Sequence, residues 1–266
     1  MAVLLVFSWR YKMELKGKIA LVTGSSRGIG KAIAGELASE GCTLIVHGSR
    51  ETDALCSSFE EVKKVSPESI MTTAELSKPV DIDKMFSQIK ETFGGLDILV
   101  NNAAIQNPSP VLELKQEDWD RVLSVNLKAP FLCAQHAGRL MCAKKAGGKI
   151  INISSVHAYD ARRNYAHYSS AKGALETLTK SLALELAEFN IQVNSIVAGA
   201  IATELTPTDR QDKFLISIPA GRIGTTEEIA HLVTFLSSNK CDYLTGASIT
   251  VDGGLTLGFC ASRPDL

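Results

Sequence analysis

The fold is decided by one stretch near the start of the chain: Ile19-Ala20-Leu21-Val22-Thr23-Gly24-Ser25-Ser26-Arg27-Gly28-Ile29-Gly30-Lys31-Ala32-Ile33. The apolar run over 19–23 is too short for a helix and is closed by glycine, so it reads as a buried strand. Beyond the glycines, Ile29, Ile33, Ala34 and Leu37 recur at helical spacing and predict a helix over 29–40 with one apolar face. The turn between them is spaced Gly-x-x-x-Gly-x-Gly. Glycines at such a turn let the backbone approach a pyrophosphate, and the helix start offers unpaired N–H groups and a positive dipole end. Position sets this turn apart from a ligand-free one, because it follows a strand and opens a helix in the first βα unit.

Working outward, short β-branched runs alternate with longer helical patterns. Strands are predicted at 44–47, near 70, and at 96–101, 149–153, 192–196 and 248–251. Helices are predicted over 53–65, 79–93, 116–145, 165–189 and 226–237, with a loop-rich insert over 200–225. This alternation implies a parallel sheet covered by helices on both faces, and right-handed crossovers wind it in two directions. The expected fold class is therefore α/β, a single-domain Rossmann-type doubly wound parallel sheet. No linker or repeat divides the chain. Residues 1–12 read as a loose extension, with Met13 a plausible start, and 13–266 as the dinucleotide-binding domain.

Composition narrows the field. The chain has 266 residues and a net charge of -1, which gives no electrostatic case for nucleic acid or an anionic membrane. The apolar start at 1–7 precedes its basic residues, the reverse of a signal peptide, and no segment approaches the roughly 20 apolar residues of a spanning helix. The six cysteines (Cys42, Cys56, Cys133, Cys142, Cys241, Cys260) form no Cys-x-x-Cys pair. That spacing argues against a metal site or a disulfide framework and fits a reducing cytoplasm.

Tyr168 and Lys172 lie four apart on a predicted helix and share a face. An ammonium beside a phenol favours the phenolate, which makes tyrosine usable as an acid or base near neutral pH. Tyr159 and Tyr165 compete for the role, but neither has a lysine four residues on.

The turn Thr23-Gly24-Ser25-Ser26-Arg27-Gly28-Ile29-Gly30 resembles the short-chain dehydrogenase/reductase family, and the resemblance runs from Leu15 to Gly254. It implies an oxidoreductase that moves a hydride between a nicotinamide ring and an alcohol or ketone carbon. The family's catalytic serine lies thirteen residues before the tyrosine, which selects Ser155, with Ser154 its near neighbour. Asn126 matches the fourth catalytic residue, so the implied tetrad is Asn126, Ser155, Tyr168 and Lys172. Tyr168 would move the proton and Ser155 would hydrogen-bond the substrate oxygen. Lys172 would lower the Tyr168 pKa and hold the ribose, and Asn126 would support a proton-relaying water.

The cofactor residues implied are Gly24, Ser26, Arg27, Gly28, Ile29 and Gly30 of the turn, Asn102 and Ala103 of the Asn-Asn-Ala-Ala block, and Arg50, Thr203, Tyr168 and Lys172. Glu75 stands where the family has an aspartate near adenine. Ala198 replaces a proline and predicts a looser following loop. Asp252-Gly253-Gly254 reads as mostly structural. NAD recognition wants an acid at the end of the second strand, but that position is Gly48. Arg27 and Arg50 suit a 2′-phosphate, so NADP(H) is favoured, and Glu51 leaves NAD(H) open.

Substrate residues are expected in the loops over 105–113, 156–164 and 200–225, including Gln106, Asn107, His157, Asp160, Arg162, Arg163 and Asn164. Ser154-Ser155-Val156-His157 and the block from Ile218 to Gly224 resemble bacterial glucose 1-dehydrogenases, which points to a sugar or polyol. The alternative is a 3-oxoacyl-carrier-protein reductase, for which Lys144 and Lys145 are the visible basic pair. An alternative of another class, a non-catalytic NADP(H) sensor, has no need of the Tyr168–Lys172 pair. The resemblance also implies a homotetramer, and Cys133, Ala134, Ala137, Leu140 and Met141 give one central helix an apolar stripe, which core packing explains equally well.

Overall fold

The computed structural model describes residues 15–204 and 217–257. The extension over 1–12, Met13, Cys260 and residues 205–216 of the insert lie outside them. The described residues build a seven-stranded sheet in the order β3-β2-β1-β4-β5-β6-β7. The strands are β1 (Ile19–Val22), β2 (Thr43–Gly48), β3 (Ile70–Thr73), β4 (Ile98–Asn101), β5 (Gly148–Ser155), β6 (Ile191–Ala198) and β7 (Ser248–Val251). Every pairing is parallel.

Period-two alternation feeds two cores. Ala20 and Val22 of β1 point to one face, with Leu44, Val46, Ile98 and Val100, and meet α1 (Gly28–Ser39), α2 (Asp53–Val65) and α7 (Thr226–Ser237). Leu21, Ile45, Leu99 and Ile150 point to the other face. There they meet α3 (Pro79–Phe93), α5 (Ala129–Lys144) and α6 (Ala166–Leu186). Strands covered on both faces read as continuous apolar runs, which is why β1 and β4 stand out in the sequence. The strand order reverses between β1 and β4, and ligands of such sheets bind at the carboxyl ends of the strands beside that reversal.

Helices α2, α3 and α7 have the predicted bounds. The predicted helix over 116–145 is broken. It forms α4 (Gln116–Leu123), a π turn (Ser124–Lys128) and α5. Pro130 has no N–H to give to the Asn126 carbonyl, so the regular ladder fails there and an extra residue is looped out. Asn126 in the π turn bonds the backbone of Ile105 both ways, at 2.9 Å to its N–H and 2.8 Å to its carbonyl. Strands β5 and β6 run further than predicted, so Ser154 and Ser155 are strand residues.

The amino end of the sheet is stapled by Asp97, which is only 5% exposed. Its carboxylate accepts from the Ile19 N–H at 2.9 Å and from Lys144 Nζ at 2.8 and 2.9 Å, with Lys18 at 3.9 Å. One side chain thus joins β1, the start of β4 and α5. Asp97→Ala leaves the Ile19 N–H and the Lys144 ammonium without this acceptor. It should lower stability in urea unfolding by about 2 kcal/mol, and a loss below about 0.5 kcal/mol would show that water replaces the staple.

Candidate active site

At the carboxyl end, a cavity of about 390 Å³ opens over β1, β2 and β4. The glycine-rich turn forms its floor. Gly24 has φ +66°, and a Cβ there would sit 2.9 Å from the Ala103 Cα. Gly30 leaves no room at all, since a Cβ would collide with the Gly24 carbonyl and the Asn102 amide. The turn is gripped from several sides. Asn102 donates from its backbone to Thr23 Oγ1 at 2.9 Å, and from its side-chain amide to the carbonyls of Thr23 at 2.9 Å and Gly24 at 3.1 Å. Ala103 N–H also reaches Thr23 Oγ1, at 3.1 Å. Asn102 therefore shapes the turn, although it lines the cavity too.

Of the predicted cofactor residues, Gly24, Ser26, Arg27, Gly28, Ile29, Gly30, Asn102, Ala103 and Thr203 line the cavity. Arg50 is exposed, beside the lining residues Gly48 and Ser49. Glu75 lines the wall, with its carboxylate turned to Ser77 N and Oγ at 3.3 and 3.1 Å. Several lining residues went unmarked in the sequence, His47 and Arg121 among them. The donors fit a dinucleotide. The first N–H groups of α1 have no partner within the helix, and the Gly24–Gly30 approach leaves the backbone bare of side chains. A bound nicotinamide dinucleotide would be held by the turn, by the loop after β4 and by the 200–204 segment.

The predicted catalytic residues converge beyond this cavity. Ser155 ends β5 and accepts from the His157 N–H at 3.2 Å. The Ser154 Oγ is buried and has no partner among the described residues. Tyr168 and Lys172 lie on α6, 6% and 3% exposed. Burial raises the Tyr168 phenol above its ordinary value, while hydrogen bonding with Ser155 and Gln106 and the charge of Arg162 pull it back. Burial brings Lys172 down to about 8, against the opposing charge of Glu176.

The net direction at Tyr168 is thus upward, the reverse of the lowering expected from the Tyr168–Lys172 spacing. The Lys172 ammonium sits 5.8 Å from the centre of the Tyr168 ring and donates to the Ile153 carbonyl at 2.7 Å. At neutral pH both groups keep their protons. Glu176, one turn beyond Lys172, also went unmarked, though the i, i+4 spacing was there to read. It is buried and accepts from Ser195 Oγ at 2.6 Å and Tyr159 OH at 3.1 Å.

The loops expected to meet substrate are tied to one another. His167 Nε2 lies 2.9 Å from the Asn107 carbonyl, and Ser109 N–H donates to the Asn164 carbonyl at 2.9 Å. His157, Tyr165 and Tyr168 form a three-ring cluster with centroids 6.1 to 6.3 Å apart. The Arg162 guanidinium lies 4.5 Å over Tyr165. The segment after β6 is held at its start, against the looser loop expected from Ala198. Gly199 N–H donates to Val251 at 2.9 Å, and 200–202 bonds to Gly224 at 2.8 and 2.9 Å. Asp252 accepts from Gly254 and Thr256, a structural cap as predicted.

Comparison with known proteins agrees with this architecture. Residues 24–256 match the family model described as Enoyl-(Acyl carrier protein) reductase. A 3-oxoacyl-acyl-carrier-protein reductase of Aquifex aeolicus is 40% identical over 247 residues, covering 92% of this chain and 99% of its own. A 2-dehydro-3-deoxy-D-gluconate 5-dehydrogenase of Formosa agariphila is 37% identical, over 91% of this chain and 94% of its own. Among solved structures, a short-chain type dehydrogenase/reductase from Mycobacterium marinum superposes with TM-score 0.87 at 34% identity, covering 93% of this chain and 98% of its own. A protein from Agrobacterium tumefaciens, proposed to be a 2-deoxy-d-gluconate 3-dehydrogenase and solved with bound NADP, gives 0.85 at 34% identity, over 94% of this chain and 100% of its own.

Fold, cavity and relatives define an oxidoreductase acting on CH–OH or keto groups. The chain belongs to the short-chain dehydrogenase/reductase family. Gly30→Ala is the direct test of the cradle. The added methyl should weaken NADPH binding by about tenfold or more in a fluorescence titration. Unchanged affinity would place the dinucleotide elsewhere.

Proposed function

We propose that this chain is an NADP(H)-dependent oxidoreductase of a sugar or polyol carbon, with Asn126, Ser155, Tyr168 and Lys172 as its catalytic set. The observation that carries the reading is the convergence of Ser155, Tyr168 and Lys172 at the carboxyl end of β5, where all three are buried, Tyr168 hydrogen-bonds with Ser155, and Lys172 donates to the Ile153 carbonyl. NADP(H) is supported by the missing acid at Gly48, by Arg27 in the cavity wall, and by the NADP-bound relative. A nicotinamide bound there would supply or accept the hydride. The proton work falls to the chain. The burial-raised phenol of Tyr168 holds its proton near pH 7 and is ready to give it to a carbonyl oxygen as that oxygen gains charge. Ser155 hydrogen-bonds the same oxygen. Lys172, protonated below about 8, favours the phenolate left behind.

Tyr168→Phe should abolish turnover and keep NADPH binding. In the parent enzyme, ketone reduction should fall as pH rises through about 8, where Lys172 loses its charge. A Tyr168→Phe enzyme with near-normal kcat would remove the assignment.

Arg162 refines the substrate. It has no carboxylate partner among the described residues, its guanidinium lies over the Tyr165 ring, and its charge acts on the Tyr168 hydroxyl. An open guanidinium so placed suits a substrate carboxylate, as in the sugar acids after which two relatives are named. The second reading, a 3-oxoacyl-carrier-protein reductase, is favoured by the Aquifex relative. The test is kcat/KM for gluconate, glucose and an acetoacetyl thioester, in the parent enzyme and in Arg162→Gln. Expected is a loss of about tenfold or more on gluconate alone in the variant. Turnover of the thioester alone would select the second reading.

We further infer a cytoplasmic homotetramer. In its support, the described cysteines are unpaired, and Phe131 of α5 and Leu184 of α6 are exposed on the outer faces of the central helices.

A further inference from the structure

The cavity wall contains a buried histidine to which neither the catalytic set nor the nucleotide contacts assign a role. His47 is the penultimate residue of β2 and is 1% exposed. Its backbone and that of the glycine-rich turn are locked together. Ser25 N–H donates to the His47 carbonyl at 2.9 Å, and His47 N–H donates to Ser25 Oγ at 2.9 Å. From the far side, Ser58 of α2 donates to the Ser25 carbonyl at 2.7 Å.

The imidazole continues the lock in two directions. Its Nδ1 lies 3.0 Å from the Gly24 N–H, and its Nε2 lies 3.1 Å from the Ala74 carbonyl. The chemistry of these neighbours fixes the tautomer. An amide N–H can only donate, so Nδ1 is bare; a carbonyl can only accept, so Nε2 carries the proton. A second proton would set two donors against each other at Gly24. Burial works the same way and pulls the imidazole down to about 4, against the opposing influence of the Ala74 carbonyl and of Glu75. One neutral ring therefore ties the end of β2 to the loops after β1 and β3. These segments supply Gly24, Gly48, Ser49, Glu75 and Leu76 to the cavity wall.

The bond to Gly24 has a directional consequence. It turns the Gly24 N–H towards β2, and the Ser25 N–H is taken by the His47 carbonyl. The amides left for a phosphate are those at the start of α1, where the helix dipole also favours negative charge.

We propose that His47 is a positioning residue for the dinucleotide, its neutral imidazole setting the turn so that the α1 amides, rather than those of Gly24 and Ser25, meet the pyrophosphate. The proposal rests on the reading of this cavity as the nucleotide site.

Two near-isosteric replacements separate the two bonds. In His47→Asn the amide oxygen can take the place of Nδ1 and still accept from Gly24. In His47→Gln the amide nitrogen can take the place of Nε2 and still donate to Ala74, but Gly24 loses its acceptor. NADPH is titrated into the full chain by fluorescence. The Asn variant is expected to bind within about threefold of the parent, and the Gln variant about tenfold or more weaker. At saturating NADPH, kcat of the Gln variant should remain within about twofold.

Equal losses in both variants would make His47 a space-filler and overturn the proposal, as would undiminished binding by the Gln variant. A parent protein that binds neither NADPH nor NADH would instead remove the nucleotide reading, and this inference with it. Should the Gln variant not fold, ¹⁵N NMR of the parent's imidazoles decides. A ring protonated at Nε2 alone, with and without NADPH, is expected for His47; a proton on Nδ1 near pH 7 would overturn the assignment.

Discussion

The hydrogen bonds that converge on the β1–α1 turn are the constraint on which the rest of the site depends. A chain passing from strand to helix in the five residues 23–27 has several backbone groups with no regular partner, and burial makes each of them costly to leave alone. Here they are satisfied mostly by neighbours fixed by the sheet, Thr23 and Asn102 across β1 and β4 and Ser25 and His47 across β1 and β2, with Ser58 added from α2. Because those partners sit on adjacent strands, the position of the turn is coupled to the register of the whole parallel sheet. The amides that open α1 are then presented at a fixed distance from the ends of β4 and β5.

Across the cleft the governing effect is desolvation. Tyr168 and Lys172 share a helical face, as their spacing implies, yet the lysine reaches past the ring to a carbonyl of β5. In the structure described, burial acts on both groups towards their uncharged forms, raising the phenol and lowering the ammonium. The site is thus set with an acid in place and a weakly held positive charge behind it. The hydrogen-bonding and charged groups that act on the phenol come from outside its own helix, Ser155 from the end of β5 and Gln106 and Arg162 from loops.

Much of this was legible in the sequence. Strands buried on both faces announce themselves as apolar runs, and Pro79 and the amphipathic pattern of 226–237 marked helices whose bounds proved right. The glycine spacing located the turn, and the tyrosine–lysine spacing located the reactive face. What escaped were features that depend on contacts distant in sequence. The π turn at Ser124–Lys128 follows from the missing N–H of Pro130 and from a bond to Ile105, and periodicity alone ran a helix straight through it. His47 looked like any strand residue until β1 and β3 were laid beside it. Arg121 lines the cavity from α4, whose next residue, Val122, packs in one cluster with Ile105 of the loop after β4. The direction of the Tyr168 shift depended on how deeply α6 sinks, which spacing does not encode.

The Asp97 staple lies at the amino end of the strands, at the opposite pole from the cleft. This stabilising contact and the chemical ones are thereby separated along the strand axis. Loops such as 105–113 and 156–164 can then vary without disturbing the contacts that hold β1, β4 and α5 in place. The molecule is thereby partitioned into a load-carrying base and an exchangeable crown, an arrangement that lets one framework acquire new substrates through its loops and keep its folding intact.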